Sequence, residues 1–286
     1  MAHDAVVEAV PEHPVLPAGT QHRVVVVVFD GHQLLDLAGP VEVMSVAGFL
    51  RTDAEYDRVL VSPGGRVVAS SSGVTVGVDH SLMEEAFSDE RVDTLLVVGG
   101  PGADVAAADD SVLEPLTRLA ARAARIASVC TGALITAAAG LLDGRTATTH
   151  WAMCDTLRSR HPELEVEGDR IFVQDGHVWT SAGVTAGIDL TLALVAEDHD
   201  DQLAQEIAGW LVVFSRRPGG QAQFSVALKA QNVSDPALGE LLAWLPGNLD
   251  ADLGVADLAE RSHMSPRTFA RVFRREVGTT PAAHVE

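Results

Sequence analysis

Cys130 stands where an apolar run, residues 125–129, passes into a segment rich in small residues, 132–139. The run is typical of a buried strand, and the small residues permit a sharp turn into a helix. A thiol at a helix N-terminus faces unpaired backbone N–H groups and the positive end of the helix dipole, which favour the thiolate. The same N–H groups can hold an oxyanion, so this corner predicts a nucleophilic thiol. The alternative is a small buried side chain.

A second corner, Gly-Gly-Pro-Gly at residues 99–102, follows the preceding strand candidate. Carboxyl ends of parallel strands meet at one edge of a sheet, where such folds place their sites, so we expect the two corners to lie together. The phosphate-binding patterns G-x-x-x-x-G-K and G-x-G-x-x-G are both absent from the sequence, and we expect no cofactor.

Cys154 lies four residues after His150, a spacing that puts both on one helix face if the helix begins early. Together with Cys130 the pair suggests a zinc site, because zinc prefers thiolate and imidazole ligands. A fourth ligand of suitable spacing is missing from the sequence, and the residues around Cys154 fit a packed helix interior. We therefore expect no bound metal.

The carboxyl-terminal part of the chain suggests a different chemistry. Ser265 followed by Pro266 predicts a helix start, because a serine side chain caps free N–H groups and proline at the first helical position costs no hydrogen bond. Apolar residues recur with helical spacing on one face, at Phe269, Val272, Phe273 and Val277. The candidate DNA contacts lie on the exposed side of this helix and at its start: Ser265, Arg267, Thr268, Arg271, Arg274 and Arg275.

A helix candidate at residues 255–261 and a short turn at 262–264 precede this cationic helix, and together they predict a helix-turn-helix. From Arg261 to Arg275 there are five arginines and no acidic residue, whereas residues 1–214 hold 12 arginines against 32 acidic residues. Phosphates are therefore attracted to this segment and little elsewhere. The alternative is a solvated charged face, but cap, turn, apolar face and charge together favour DNA binding.

The front two thirds of the chain alternate strand-like and helical runs. Strand candidates are residues 24–29, 56–62, 94–98, 125–129, 146–149, 171–174 and 178–181; helix candidates are 40–48, 112–124, 132–139, 151–160 and 185–197. This alternation predicts an α/β fold, a flavodoxin-like sandwich with a mostly parallel sheet, followed by a small all-α helix-turn-helix domain.

Four segments are expected along the chain. Residues 1–22 are a disordered N-terminal tail, 23–200 the α/β domain, 201–235 a connecting helix and linker, and 236–286 a partial helix-turn-helix domain. The start lacks the pattern of a signal peptide, and the longest early apolar run is far shorter than the ~20 residues of a membrane span. Two cysteines are too few for a disulfide framework. We expect a soluble, cytoplasmic protein without membrane contact.

Five motifs, in order along residues 23–200, resemble the ThiJ/PfpI superfamily of class I glutamine-amidotransferase-like domains. They are Phe-Asp-Gly at 29–31, Asp-Leu-Ala-Gly-Pro at 36–40, Gly-Gly-Pro-Gly at 99–102, Val-Cys-Thr-Gly at 129–132 and Thr-Thr-His-Trp at 148–151. The resemblance implies that Cys130 is the nucleophile-elbow cysteine and that Asp36 accepts a hydrogen bond from its thiol or shares a proton with it. Thr131 and Gly100 would offer backbone N–H groups to an oxyanion, and His150 would assist proton transfer.

Without this resemblance two of these side chains have ordinary interpretations. Asp36 is then a loop carboxylate, and His150 is a hydrogen-bonded histidine at the end of a strand. Both alternatives stay open from the sequence.

Residues 255–281 resemble the first half of an AraC-type DNA-binding domain, through Met-Ser-Pro-Arg at 264–267 and Phe-Ala-Arg at 269–271. With the connector at 213–225, the whole is similar to the GlxA-type transcriptional regulators. His263 occupies a turn position that is commonly glycine, and histidine adopts a left-handed backbone reluctantly, which predicts a strained or differently shaped turn. The family's second helix-turn-helix is absent from this sequence, which predicts weaker DNA binding.

The sequence therefore predicts a bacterial transcriptional regulator of the GlxA type. We expect the α/β domain to form a homodimer and to sense an unidentified small-molecule effector, and the helix-turn-helix to dock in a major groove of promoter DNA. A second hypothesis is a cysteine-dependent enzyme, with hydratase, amidase or aldehyde-detoxifying activity at Cys130; both can hold for one chain. A third is a shortened module that dimerises but binds DNA weakly.

Overall fold

The computed structural model describes residues 21–214, 235–245, 248, 253–277 and 280–282. The chain divides into two compact units, Met1–Pro218 and Gly219–Glu286, called here the α/β unit and the helical unit. Nearly all of the predicted tail and most of the predicted linker lie outside the described residues.

Eleven strands are described in the α/β unit. They are β1 (His22–Val27), β2 (Tyr56–Ser62), β3 (Val68–Ala69), β4 (Thr75–Val76), β5 (His80–Ser81), β6 (Val92–Val97), β7 (Ala123–Val129), β8 (Thr146–Ala147), β9 (Glu165–Val166), β10 (Phe172–Asp175) and β11 (Val178–Ser181). Seven form the central sheet, in the order β10-β11-β7-β6-β1-β2-β5. Neighbours in this sheet are parallel except β10 and β11, which form an antiparallel hairpin at one edge.

Helices alternate with these strands. They are α1 (Leu34–Leu50), α2 (Leu82–Phe87), α3 (Ala103–Ala106), α4 (Asp110–Ala120), α5 (Gly132–Ala138), α6 (Cys154–Arg160), α7 (Ala186–Asp198) and α8 (Asp201–Trp210). Helices α1, α7 and α8 pack on one another, as do α2 with α4 and α3 with α5. The predicted flavodoxin-like sandwich with a mostly parallel sheet is confirmed. Over the described residues, every helix is too short or too polar to span a membrane.

The centre of the sheet is apolar on both faces. Strand β1 runs between β2 and β6, and its four valines, Val24 to Val27, are all 0% exposed. Continuous rather than alternating burial is what a parallel strand covered on both faces requires. The run of valines therefore positions the loop after β1, which leads directly to Asp36.

A buried ionic cluster lies near the amino ends of the strands. The guanidinium of Arg125, in β7, donates to Glu197 at 2.8 Å and to both carboxylate oxygens of Asp198, at 2.9 and 2.8 Å. The hydroxyl of Tyr56, the first residue of β2, donates to Asp198 at 2.9 Å. Burial opposes the charge of Asp198, but Arg125 outweighs it and lowers the pKa of Asp198. Asp198, in the polar run at residues 198–201, is thus bound to both β2 and β7.

Helix α1 begins at Leu34, and the predicted start at Pro40 is wrong. Proline favours a first helical position, but here it lies inside the helix and only deprives one carbonyl of a partner. Asp36 is therefore a residue of the first turn of α1 and is 0% exposed, so its interpretation as a loop carboxylate is also wrong.

Two predicted segment boundaries also need correction. His22, placed in the tail, is the first residue of β1, and its buried ring lies 3.3 Å from Thr94 Oγ1. The helix predicted to connect the two domains is α8, Asp201–Trp210. Its Leu203 and Ile207 are 0% exposed within the core of the α/β unit. Helix α8 therefore belongs to that unit.

The helical unit contains three described helices of more than two residues, α9 (Pro236–Trp244), α10 (Val255–Arg261) and α11 (Pro266–Val277). Asp235 caps α9, a helix that the sequence analysis did not predict, through the N–H groups of Ala237 and Leu238. The positions predicted for α10 and for the start of α11 are confirmed. Apolar residues of the three helices form one core: Leu238, Leu241, Leu242, Leu245, Leu258, Ala259, Phe269, Val272, Phe273 and Val277.

Candidate functional site

Cys130 lies at the carboxyl end of β7 in a left-handed conformation, with φ +59°. Its N–H donates to the Ser181 carbonyl at 3.0 Å, and its own carbonyl accepts from Thr149 Oγ1 at 2.8 Å. Gly183 packs on the thiol so closely that a Cβ there would lie 2.2 Å from Cys130 Cβ. A non-glycine residue in this conformation is strained, and the surrounding hydrogen bonds hold it in place. The predicted strand-to-helix corner is present, and Cys130 is 6% exposed.

Asp36 reaches this corner from the first turn of α1. Its Oδ2 accepts from the Gly99 N–H at 3.2 Å, its Oδ1 accepts from the Val184 N–H at 2.7 Å, and the carboxyl is hydrogen-bonded with the Cys130 thiol. The contact that the family resemblance implied between Asp36 and Cys130 is therefore present. The loop 182–185 was missed by the sequence analysis. Its signal was Gly183 after β11, but only the pairing of β11 with β7 places that loop over Cys130.

Electrostatics at the corner differ from the sequence-based expectation of a thiolate. Burial raises the pKa of Asp36 to about 6. Burial, followed by the negative charge of Asp36, raises the pKa of Cys130 to about 12, although the Thr131 N–H acts in the opposite direction. Burial and the adjacent carboxylate thus raise the pKa of the thiol by more than the helix N-terminus lowers it. The resting pair holds a neutral thiol beside Asp36.

Two hydrogen bonds join Gly100 and Thr131. The Gly100 N–H donates to Thr131 Oγ1 at 2.7 Å, and the Thr131 hydroxyl donates back to the Gly100 carbonyl at 3.0 Å. The Thr131 N–H approaches the Cys130 sulfur. An oxyanion would thus meet the Thr131 N–H, whereas the Gly100 N–H is already taken by a hydroxyl. The two corners lie together as predicted, but the expected pair of free N–H donors is not formed.

His150 is positioned at the start of a short 3-10 helix, Trp151–Met153. Its Nδ1 accepts from the Ala152 N–H at 3.4 Å, and burial lowers the pKa of the ring. Thr149, the preceding residue, is the one that bonds to the Cys130 backbone. His150 therefore has the geometry of a hydrogen-bonded histidine that follows a strand.

The zinc alternative is not supported by the placement of its ligands. The Cys154 thiol is buried and donates to the carbonyl of His150 at 3.6 Å. Within the described ranges no group of three or more His, Cys, Asp and Glu side chains is arranged to hold a metal ion. Cys154 packs inside the start of α6, in the interior position expected from its sequence.

In the helical unit, α11 begins as its sequence predicts. Ser265 Oγ accepts from the Thr268 N–H at 3.3 Å, which caps the helix. The apolar face is buried against α9 and α10. All six predicted DNA contacts are exposed: Ser265, Arg267, Thr268, Arg271, Arg274 and Arg275.

The arginines of this segment have different surroundings. Arg261 stacks on the Trp244 ring, 3.6 Å from its centroid, and Arg275 pairs with Glu276 at 2.5 Å. The other three of the five arginines lie on the exposed side of α11; they are Arg267, Arg271 and Arg274. These three form the cationic face, the surface suited to a phosphate backbone.

The sequence predicted that the turn before α11 is either strained or differently shaped, and the structure shows the strained form. His263 adopts φ +54°. Its N–H donates to the Glu260 carbonyl and the Met264 N–H to the Ala259 carbonyl, both at 2.9 Å. This pair of bonds closes α10 with a left-handed residue, a position that glycine occupies without strain.

Comparison with known proteins gives a family match for each of the two units. Residues 22–197 match the DJ-1/PfpI family, and residues 248–285 match the bacterial regulatory helix-turn-helix proteins of the AraC family. In a crystal structure of a ThiJ/PfpI family protein from Pseudomonas syringae, 26% identical, the same fold covers 83% of this chain and 98% of that one, with a TM-score of 0.62.

Similar proteins include regulators and an enzyme. The chain is 32% identical to the HTH-type transcriptional regulator CdhR of Pseudomonas aeruginosa, over 88% of this chain and 73% of that protein. It is 32% identical to the HTH-type transcriptional regulator GlxA of Rhizobium meliloti, over 86% and 74%. It is also 36% identical to an isonitrile hydratase of Pseudomonas putida, over 58% and 67%. The chain therefore belongs to the DJ-1/PfpI family, and its carboxyl-terminal unit makes it a helix-turn-helix regulator of the AraC family.

Proposed function

We propose that this regulator docks α11 in the major groove of promoter DNA, with the cationic face meeting the phosphates and base edges. The observation that carries the proposal is the exposure of Arg267, Arg271 and Arg274 on a capped helix whose other face is buried. The acidic α/β unit repels DNA, so binding is confined to the helical unit. The proposal includes action on chromosomal DNA in the cytoplasm.

The proposal includes a homodimer formed through the α/β unit and a small-molecule effector bound by it. Two copies put two α11 helices on one duplex, which adds the phosphate contacts of the second copy. An exposed aromatic pair supports a self-association surface: Phe49 and Trp210 are 68% and 57% exposed, and their ring centroids are 4.9 Å apart.

Salt dependence of DNA binding tests this function. Affinity of the full chain for a short duplex is measured by fluorescence anisotropy over a range of salt concentrations. Replacing Arg267 or Arg271 with Ala is expected to weaken binding and to lower the salt slope by about one per lost phosphate contact. Arg170→Ala, an exposed arginine of the α/β unit, is the matched control. An unchanged slope in Arg271→Ala, or an equal loss in the control, overturns the proposal.

A second candidate function is a thiol-dependent activity at Cys130, favoured by the hydrogen bond between Asp36 and the thiol. Asp36 would take the thiol proton as the sulfur attacks an electrophilic carbon and would give it to the resulting adduct. Water would then add to that carbon, the C–S bond would break, and the Cys130 sulfur would regain a proton. The isonitrile hydratase relative suggests isonitriles as the first substrates to assay. Turnover that disappears in Cys130→Ser supports this function; no turnover of isonitriles, amides or glyoxal by the wild type excludes it.

A further inference from the structure

Helix α8 is closed by a residue with a strained backbone. The Val213 N–H donates to the Ala208 carbonyl at 2.9 Å, and the Val212 N–H donates to the Gly209 carbonyl at 3.2 Å. This pair of bonds ends a helix with a left-handed residue, a position that glycine usually occupies. Here the residue is Val212, with φ +56°. A β-branched residue in this region is an outlier, because its Cβ lies too close to the backbone.

The side chain of Val212 does little to offset this strain, since it is 90% exposed. The bend turns Val213 onto the core of the α/β unit and leaves Phe214 72% exposed. A groove of about 250 Å³ separates this segment from the start of α7, and its lining is Thr185, Ile188, Asp189, Val212, Val213 and Phe214. Residues 211–214, called here the strap, therefore lie beside a groove rather than inside a closed core.

The local sequence favours a different path for the strap. Apolar residues recur at spacings of four, four and three, the pattern of one helix face: Leu203, Ile207, Leu211 and Phe214. After Gly209, the next glycine or proline in the sequence is Pro218. Local sequence alone would therefore continue α8 through the strap, whereas the structure bends the chain at Val212.

Extension of α8 would relieve the strain at Val212. In a helix its φ would be near −63°, and the Phe214 N–H would donate to the Trp210 carbonyl, four residues earlier. In the bent form the described residues give that N–H no backbone acceptor. The bent form keeps the packing of Val213, and the extended form gains a hydrogen bond and loses the strain. The two forms thus have opposing advantages.

One wall of the groove is continuous with the thiol corner. Thr185 follows Val184, whose N–H donates to Asp36 Oδ1 at 2.7 Å. Ile188 packs on α1 at Gly39, where a Cβ would lie 2.9 Å from Ile188 Cγ1. A displacement of the loop at residues 182–185 therefore moves the wall beside which the strap lies.

We propose that the strap is a two-state switch, either bent beside α7 as in this structure or extended as a further turn of α8. In the extended form the strap leaves the groove, and the chain leaves the α/β unit along the axis of α8. The chain continues from Phe214 toward the DNA-binding helices, so the switch changes the point from which they are tethered. Its role as a regulator of DNA binding rests on the proposed function.

Methyl relaxation-dispersion NMR of the full chain, with labelled valine, tests the switch. The Val213 methyl groups are expected to exchange between two environments in the wild type, and the exchange should disappear in two variants that trap the bent form. Val212→Gly removes the strain and disfavours a helix, which should raise the ratio of bent to extended form about tenfold. Phe214→Pro removes the N–H that extension requires and disfavours a helical Val213.

The matched control is Val67→Gly, at a valine that is 58% exposed and lies outside the strap, and it should leave the exchange unchanged. Exchange that is absent from Val213 in the wild type overturns the switch. Exchange that persists in both trapped variants, or that disappears equally in the control, overturns it as well.

DNA affinity of the same variants, measured by fluorescence anisotropy, tests the regulatory role. Both trapped variants should change affinity in the same direction and by the same factor, about fivefold or more, because both populate the bent form. Wild-type affinity in both variants, or changes of opposite direction, refutes that role. Absence of DNA binding by every protein, the wild type included, refutes the proposed function, and the NMR result then decides the switch by itself.

Discussion

Asp36 Oδ1 accepts a hydrogen bond from the Val184 N–H at 2.7 Å, across 148 residues of sequence. The bond joins the first turn of α1 to the loop after β11, and with the Gly99 N–H it holds the carboxylate beside Cys130. Val184 itself adopts φ +52°, which is unusual for a β-branched residue. The carboxylate of Asp36 is thus held beside Cys130 by backbone N–H groups from two separate segments rather than by other catalytic side chains.

Replacing Asp36 with Asn is expected to make Cys130 more acidic. The charge and hydrogen bond of Asp36 both raise the pKa of the thiol, so removing the charge lowers that pKa while burial keeps it above its ordinary value. The rate of iodoacetamide alkylation at Cys130, followed by mass spectrometry across pH, should rise at lower pH than in the wild type. Cys154 in the same molecules is the internal control. A pH profile at Cys130 that does not move contradicts the prediction.

The same carboxylate predicts a pH dependence of stability. The folded pKa of Asp36 is raised from 3.8 to about 6, so the folded state binds more protons than the unfolded state between these values. The contribution of Asp36 to the free energy of unfolding is therefore largest below pH 4. It falls by roughly 3 kcal/mol as the pH rises to 6 and does not change further above that pH. Urea unfolding of the wild type and Asp36→Asn should show a difference in unfolding free energy that changes across this window. Asp104→Asn, at an exposed carboxylate of the same unit that pairs with Arg160 at 2.6 Å, is the control variant.

The sequence predicted the elements whose signals are local. Strands β2 and β11 have their predicted bounds because each is a β-rich run ended by a polar or small residue. Helices α10 and α11 follow from a turn, a cap and an apolar face within about 25 residues. The Asp36–Val184 bond follows instead from strand order, since β11 pairs with β7 and brings residues 182–185 over Cys130. Two-residue strands such as β3 and β4 have no periodicity to detect.

The ionic cluster shows a second limit of local signals. The sequence around Asp198 is acidic and polar, which is typical of a domain boundary. Its buried state depends on Arg125, which is 73 residues away and 1% exposed in its side chain. A run of charged residues is interpreted as solvated unless an ion-pair partner is known. Here the partner is Arg125, and only the folded sheet brings it to Asp198.

Breaking this cluster is expected to cost much more than breaking a surface pair. Asp198→Asn leaves the buried guanidinium of Arg125 without its principal charge partner, which should destabilise the fold by about 3 kcal/mol. Because the pKa of Asp198 is lowered in the folded state, its stabilisation is present at neutral pH and is lost as the pH falls through that folded pKa. Asp155→Asn, which removes a partner of Arg158 at a fully open site, should change unfolding free energy by less than about 1 kcal/mol. Equal effects in urea unfolding would contradict the assignment.

Replacing His263 with Gly is expected to stabilise the turn between α10 and α11. A non-glycine residue at φ +54° costs about 1–2 kcal/mol, whereas glycine loses about 0.5–1 kcal/mol more conformational entropy on folding. The net gain should be roughly 0.5–1 kcal/mol, because the exposed imidazole contributes little packing. Amide hydrogen exchange of the full chain measures it, with slower exchange expected in α11. The matched control is His161→Gly at the end of α6, where φ is −131° and glycine brings no relief, so exchange there should stay the same or accelerate. Faster exchange in α11 of His263→Gly would show that the histidine, and not the backbone conformation, stabilises the turn.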